Sequence, residues 1–445
     1  MTRRPFSALR PRRALAAAGL AALAAGCASA GAPENAAAPT PRPAAETPAP
    51  QAAKTAPRPE PRPMNPAEME RSFAAWRADF RARALAQGVS AALFDQAFAN
   101  VRPNTRVMEL DAFQPEFVRP IWAYLDSAVS DTRVTTGREK RAALAPLLAE
   151  IEDRHGVDRE AVLAIWGVET NFGTIRGSIN VFEALGTLAW HGRRKDFAEE
   201  QLLAAFRIVA AGEITPEAMV GSWAGAMGHT QFIPTSYLAY AADHDGDGRR
   251  NVWGEDPGDG LASTAAYLAR FGWEQGAPWG AEVKLPAGFD LSLADQKIRR
   301  SPEAWSALGV TAADGGPVPA HGEASIILPA GASGPAFAVF NNFRVIKRYN
   351  NATSYAMAVG LLAQRIGGAP DPAYAWPRDQ RRMSVEEMKE VQALLNGLGF
   401  NAGVPDGIIG PNTQGAIRAF QRSRGLPADG FVNAPLLDAL RGAGG

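Results

Sequence analysis

The chain is poor in cysteine, in histidine and in net charge. Its 445 residues include one cysteine, Cys27. A disulfide framework and a cysteine-based zinc site are therefore excluded within one chain. The five histidines (His155, His191, His229, His244, His321) are scattered, with no HExxH pattern and no pair at metal-ligand spacing. Lys plus Arg number 46 and Asp plus Glu number 46, a formal net charge of +0. Nucleic-acid binding needs a basic excess, so no nucleic-acid partner is expected. The balance also argues against an acidic, solvating chain. At 46% hydrophobic and 21% charged the composition is that of a globular protein. The length suggests about two to three domains.

What is present begins with a targeting segment. Arg3, Arg4, Arg10, Arg12 and Arg13 form a basic start, followed by an Ala/Leu-rich stretch from Ala14 to about Ala25. That stretch is too short for a stable transmembrane helix and reads as a signal peptide over residues 1–27. LAAGC resembles a bacterial lipobox, which makes Cys27 the lipidated first mature residue. Ala28-Ser29-Ala30 offers a competing cleavage after Ala30, which would give a soluble form. A lipid anchor at Cys27 implies the outer membrane, since Asp does not follow the cysteine. Both endings place the protein in the periplasm or beyond.

Residues 28–63 are Ala/Pro-rich and cannot bury a core; they read as an extended tether. Folded sequence begins near Met64, where Asn65-Pro66 and the acidic Glu68 and Glu70 suit a helix start. Leu144, Leu147, Leu148 and Ile151 recur at helical spacing, as do Leu202, Leu203, Phe206 and Val209. Thr215-Pro216 reads as an N-cap with proline at the first helical position. From about 280 to 344 the texture changes. EVKLP, ASIILPA and FAVFNNFRVI are β-leaning runs set apart by Gly and Pro, a small β-rich insertion. Helical pattern resumes at Ser354 and breaks at PDPAYAWPRD. The expected units are 64–376, with that insertion, and a mini-domain over 384–445.

Two stretches point to chemistry. In AIWGVETNFG, Glu169 follows Ile165, Trp166 and Val168 and precedes Phe172. An ionised Glu in apolar company is costly or takes up a proton. A carboxyl that holds its proton near neutral pH is a general acid, which glycoside cleavage needs at the leaving oxygen. The alternative is a helix carboxylate satisfied by a distant Arg. Downstream, GSWAGAMGHTQFIPTSY combines Gly221, Gly225, Gly228, Ala224 and Ala226 with polar Ser222 and Gln231 and the flat faces of Trp223, Phe232 and Tyr237. Small residues let backbone approach a ligand closely; tight helix packing through small residues is the alternative. Polar groups among aromatic faces suit sugars.

GVETNFG, this glycine-rich stretch and RYNNATSYAMAV together resemble the lytic murein transglycosylase B family, over about Met64 to Gly368. The resemblance implies a mainly α, lysozyme-like catalytic domain with a small β-rich piece. It implies cleavage of the β-1,4 bond between N-acetylmuramic acid and N-acetylglucosamine, with a 1,6-anhydro-muramoyl product and no required cofactor. It makes Glu169 the acid and then the base, and Ser222 and Gln231 polar contacts to the acid and the glycan. It sets Tyr349, Asn350 and Tyr355 along the cleft. Arg193 and Arg194 fall near the cleft, where anionic peptide or lactyl groups would lie. No second carboxylate stands beside Glu169 in these motifs, whereas hydrolases generally use two. A muramidase-type hydrolase and a non-catalytic murein-binding scaffold are the alternatives.

DHDGDGRRNVWGEDPGD places Asp243, Asp245 and Asp247 at positions one, three and five of an EF-hand-like loop. Position twelve is Gly254, where a bidentate Glu is expected. The family resemblance implies a later closing acid. Asp259 is the choice, with Glu255 and Asp256 as rivals and Arg249 giving its carbonyl. Structural calcium is the expected ion; an acidic Gly turn without an ion is the alternative. The last segment resembles the three-helix type-one peptidoglycan-binding module through Asp406-Gly407, Gly410-Pro411, Thr413, Ala416-Ile417 and Phe420-Gln421. Peptidoglycan glycan strands are the implied partner.

Overall fold

The computed structural model describes residues 64–112, 120–192, 194–370 and 374–444. Cys27, the signal peptide, the tether and Arg193 lie outside the described residues. Most of the described chain is helical.

The first helix, Pro66–Ala86, starts where the sequence indicates. Asn65 Oδ1 accepts from Glu68 N–H at 2.9 Å, and Asn65 N–H donates to Glu68 Oε2 at 3.0 Å. Phe73, Trp76, Phe80 and Ala84 recur at helical spacing and are buried. They meet Phe94, Phe98, Phe182 and Phe206 in one aromatic cluster. Each such ring buried is worth about 1.5–3 kcal/mol. Behind this cluster the helices Ala145–His155, Arg159–Thr170, Val181–His191, Lys195–Ala210, Gly258–Arg270 and Thr353–Ile366 share a single core.

Two local expectations differ from the structure. Thr215-Pro216 opens one turn, closed by Met219 N–H on Thr215 O at 3.1 Å, and no helix follows. Val220–Gly221 instead pairs antiparallel with Ile179–Asn180, which draws the chain into a ribbon. FAVFNNFRVI is likewise only half strand. Ala336–Val339 is a strand and Asn341–Tyr349 a helix. The break is set by buried Asn342, which accepts from Glu274 N–H and donates to the carbonyls of Glu274 and Ala277.

The insertion is a four-stranded antiparallel sheet in the order Thr311–Ala312, Gly280–Lys284, Ala336–Val339, Ser325–Ile327. It has its own core around Trp305, Ile326 and Phe340. Three further helices, Val385–Gly397, Pro411–Ser423 and Ala434–Gly444, enclose Val391, Leu395, Ile417, Phe420 and Leu437. Gln392 is buried at their centre and donates to Asp406, Ile408 O and Thr413. Among the described residues no helix is long and apolar enough to cross a membrane.

Candidate active site

Glu169 sits in the last turn of Arg159–Thr170, a helix buried along most of its length. Two abrupt residues follow it. Asn171 (φ 50°) and Phe172 (φ 57°) both take the left-handed conformation. For a bulky residue this costs roughly 1–3 kcal/mol and needs firm support. Phe172 has it: the ring is buried and meets Trp166 edge-on at 5.6 Å. A side chain at Gly167 would approach that ring to 2.7 Å, so the glycine makes room for it. Thr170 Oγ1 donates to His229 O at 2.6 Å and accepts from Gly173 N–H at 3.0 Å. The helix therefore ends on a fixed stub, with Glu169 one residue before the fixing point.

Glu169 keeps partial exposure to solvent, yet protein surrounds its carboxyl closely. Desolvation pushes it up to about 7. One interaction opposes the rise. Tyr355 Oη donates to Glu169 Oε1 at 2.7 Å and favours the ionised form. No neighbouring carboxylate contributes to the shift. Tyr355 is buried on the helix Thr353–Ile366, and burial followed by the Glu169 charge holds its phenol well above its ordinary value. It is a fixed donor near neutral pH.

The other expected residues divide. Tyr349 lies close enough for Glu169 to raise its phenol, although burial is the larger cause. Its Oη donates to Thr230 O at 2.6 Å. Asn350 ends the helix Asn341–Tyr349, and its Oδ1 accepts from Ala352 N–H at 3.0 Å. It shapes the turn that delivers Tyr355. Ser222 Oγ accepts from the N–H groups of Ala224 and Ala226 within its own loop. Among the described residues it forms no hydrogen bond to Glu169. Gln231 takes φ 57°, and its Nε2 donates to Arg176 O and Gly228 O, which ties two loops together. Arg194 is exposed, its guanidinium 4.8 Å from the Phe197 ring.

The small residues of the 221–237 stretch serve the chain itself. A Cβ at Gly177 would lie 2.1 Å from Gly221 O, and one at Gly228 would lie 2.3 Å from Val252 O. Backbone packs on backbone here, so the close approach is to neighbouring chain.

Some contributors carry no distinct sequence signal. Tyr267, on Gly258–Arg270, donates to Arg348 O at 2.6 Å and meets the Tyr349 ring at 5.0 Å. It sits in an ordinary apolar helix pattern. His229 lies inside a motif already singled out. Trp166 Nε1 donates to its Nδ1 at 3.2 Å, so Nε2 carries the proton and donates to Gly254 O at 2.9 Å. Burial pushes its imidazole down, which suits the neutral form. A separate cavity of about 540 Å3, lined by Asp158, Trp273, Trp279 and Gly360, includes none of the residues around Glu169.

In the Asp loop, carboxylate oxygens of Asp243, Asp245 and Asp247 lie within 4.8 Å of one another. Asp243 accepts from Gly246 and Gly248 N–H, Asp245 from Asp247 N–H, and Asp247 from Arg249 N–H. Asp259 stands outside this trio. Its Oδ1 accepts from His244 N–H at 2.7 Å and its Oδ2 from Asn251 N–H at 2.6 Å. It clamps the two ends of the loop. Burial, then the nearby Asp245 and Asp243 charges, push it up against the pull of those amides.

Comparison with known proteins agrees with this geometry. Residues 72–364 match the family described as "Transglycosylase SLT domain", and residues 384–440 match "Putative peptidoglycan binding domain". Over 219 residues the chain is 35% identical to membrane-bound lytic murein transglycosylase B of Escherichia coli (strain K12). That stretch is 48% of this chain and spans only 58% of the curated relative. A crystal structure of SltB3 from Pseudomonas aeruginosa, in complex with NAG-anhNAM-pentapeptide, is 50% identical with a TM-score of 0.80. The match covers 83% of this chain and 99% of that one. The structure of the Escherichia coli lytic transglycosylase Slt35 in complex with calcium is 28% identical, with a TM-score of 0.56, over 65% of this chain and 92% of that one. The described chain accordingly has a mostly helical, lysozyme-like fold with small sheets, followed by a peptidoglycan-binding module, and it belongs to the transglycosylase SLT domain family.

Proposed function

We propose that the protein is a lytic transglycosylase that cuts the β-1,4 bond between N-acetylmuramic acid and N-acetylglucosamine in peptidoglycan, leaving 1,6-anhydro-muramoyl ends. One observation carries this reading: a single carboxyl, desolvated to about 7, with a phenol as its hydrogen-bond donor and no second carboxylate acting on it. Near neutral pH such a group holds a proton in a large fraction of molecules and can give it to the leaving glycosidic oxygen. The resulting carboxylate can then take the proton of the muramoyl C6 hydroxyl. That hydroxyl closes on C1 within the same sugar, so proximity replaces an activated water and its base. Tyr355 holds the carboxylate in place between the two transfers and stabilises its charged form.

The test is mass analysis of muropeptides released from purified sacculi. Anhydro ends are lighter by one water than hydrolysed ends, so reducing ends in the wild-type digest would overturn the proposal. The Glu169→Gln variant run beside it should release neither.

The acidic loop fits a hard divalent cation, because it gathers three carboxylates with their backbone already turned by Asp–amide bonds. Asp243, Asp245 and Asp247, with the Arg249 carbonyl, would hold structural calcium, and Asp259 supports the loop from below. The ion takes no part in the chemistry. The family places the work on peptidoglycan, hence in the periplasm, and Cys27 would anchor the chain to the outer membrane. Sequencing and mass analysis of the mature N-terminus tests the anchor: a lipidated Cys27 supports it, and a start at Gly31 overturns it.

A further inference from the structure

One seam beside the site carries positive charge that no described carboxylate pairs with. Arg344 and Lys347 stand three residues apart on Asn341–Tyr349, hence on one helix face. The insertion segment 296–300 runs across from them. Lys347 Nζ donates to Gln296 Oε1 at 2.7 Å. Arg344 Nη2 donates to Glu323 O at 3.2 Å, and the backbone of Arg300 pairs with Ala324 next to it. Arg344 Nη1 and Arg300 Nε are buried without a hydrogen-bond partner. Among the described residues, Arg299, Arg300, Arg344 and Lys347 form no salt bridge. Lys347 is half-buried, and burial alone pushes its ammonium down. Arg344 is pushed down by burial and then by Arg299, against a smaller opposite pull from Glu323 and Glu274, neither of which forms a salt bridge with it.

A half-buried ammonium with one neutral amide as its partner is an expensive arrangement. An arriving anion would repay it through charge-assisted hydrogen bonds. The seam also leads to the acid. Gln296 Nε2 donates to Thr353 Oγ1 at 2.9 Å, and Thr353 begins the helix that presents Tyr355 to Glu169. Lys347 precedes Tyr349 by two residues. The sugar rings of a glycan strand are neutral apart from substituents, so the anions that a murein strand brings here are the carboxylates of its peptide stems. We propose that Lys347 and Arg344, with Arg299 beside Arg344, form a subsite for a stem carboxylate.

This rests on the murein-cleaving reading of the same site, and the experiment separates the two. Full-length protein is assayed on glycan strands that carry stems and on the same strands after an amidase has hydrolysed the lactyl amide, which leaves a lactyl carboxylate against the sugar ring and removes every stem carboxylate. For Lys347→Met and Arg344→Gln, kcat/KM on stem-bearing strands should fall about tenfold each, mainly through KM, as expected for one charge-assisted contact. Lys347→Arg should keep most of the activity. Rates on stripped strands should stay within about twofold, and melting temperature should not fall, since Lys347→Met removes an unpaired half-buried charge. An equal loss on both substrates, or no loss on either, overturns the subsite. Wild-type protein that cleaves neither substrate overturns the murein reading and the subsite with it.

Discussion

Glu169 and the Asp243–Asp247 loop use the same functional group in opposite settings. Glu169 is a lone carboxyl at the end of a buried helix, with a phenol as donor and no neighbouring acid acting on it. The loop gathers three carboxylates near the surface and occupies their oxygens with its own amides. In the first setting desolvation raises the cost of charge until the group keeps a proton. In the second, crowded charge in an oxygen-lined turn favours a cation. On the proposed reading the surroundings decide whether a carboxyl serves proton transfer or a cation, and each setting can be broken separately.

Removing the proton of the first setting should have the largest effect. Glu169→Gln keeps shape and an acceptor for Tyr355 but cannot transfer a proton. Turnover of sacculi should fall about 10³-fold or more, within the range for loss of a general acid. Residual activity within tenfold of wild type would put the chemistry elsewhere.

The same substitution should stabilise the fold in a pH-dependent way. The carboxyl stands at about 7 in the folded protein against an ordinary 4.5. A folded value above the unfolded one means that the folded state binds the proton more tightly. This contribution is fully present below about 4.5 and is lost as pH rises through about 7. Charging Glu169 in place costs roughly 3 kcal/mol as an upper bound. Urea melts should show Glu169→Gln gaining on wild type from pH 5 to pH 8. A gap that does not change with pH would mean that the acid is well solvated.

Tyr355→Phe sharpens the contrast by taking away the one group that favours charge on Glu169. The carboxyl should rise further above about 7, and the alkaline limb of the activity profile should move to higher pH. At the wild-type optimum the rate should fall about 10–100-fold, as for loss of a hydrogen bond to a charged group of about 1.5–3 kcal/mol. A limb that moves to lower pH would show that Tyr355 serves another purpose.

The two settings were not equally legible in the sequence. Glu169 stands out because a carboxylate interrupts Ile165, Trp166, Val168 and Phe172, and the helical spacing around it fixes which element it ends. The Asp trio is legible for the same local reason. What escapes is long-range. Tyr267 packs on Tyr349 from 82 positions earlier in the chain and looks like any apolar helix residue. Gly177 and Gly228 are required by backbone from Gly221 and Val252, a contact that no local pattern encodes. Thr215-Pro216 has sound cap chemistry, yet pairing of Val220–Gly221 with Ile179–Asn180 overrides it. FAVFNNFRVI splits at Asn342 because its amide is claimed by Glu274 and Ala277, far upstream. The resemblance sets Ser222 and Gln231 at the acid and the glycan, and their hydrogen bonds within the chain run to the loops that build the site.

Breaking the second setting should have the smallest effect, and it tests whether the two settings are linked. Val252 O accepts from His229 N–H, and His229 bonds both Gly254 O and Trp166, three residues before Glu169. Chelation with EGTA, or Asp245→Asn with Asp247→Asn, should lower the melting temperature by a few degrees. That corresponds to about 1–3 kcal/mol of ligand-linked stability at cation concentrations well above Kd. Adding calcium should restore wild type and leave the double variant unchanged. Well below the melting temperature, turnover should drop less than about threefold, because the His229 bridge joins protein groups to protein groups and stays in place without the ion. A collapse of turnover on chelation at low temperature would instead mean that the loop sets the position of the Glu169 helix, and the separation between the two kinds of carboxylate would fail.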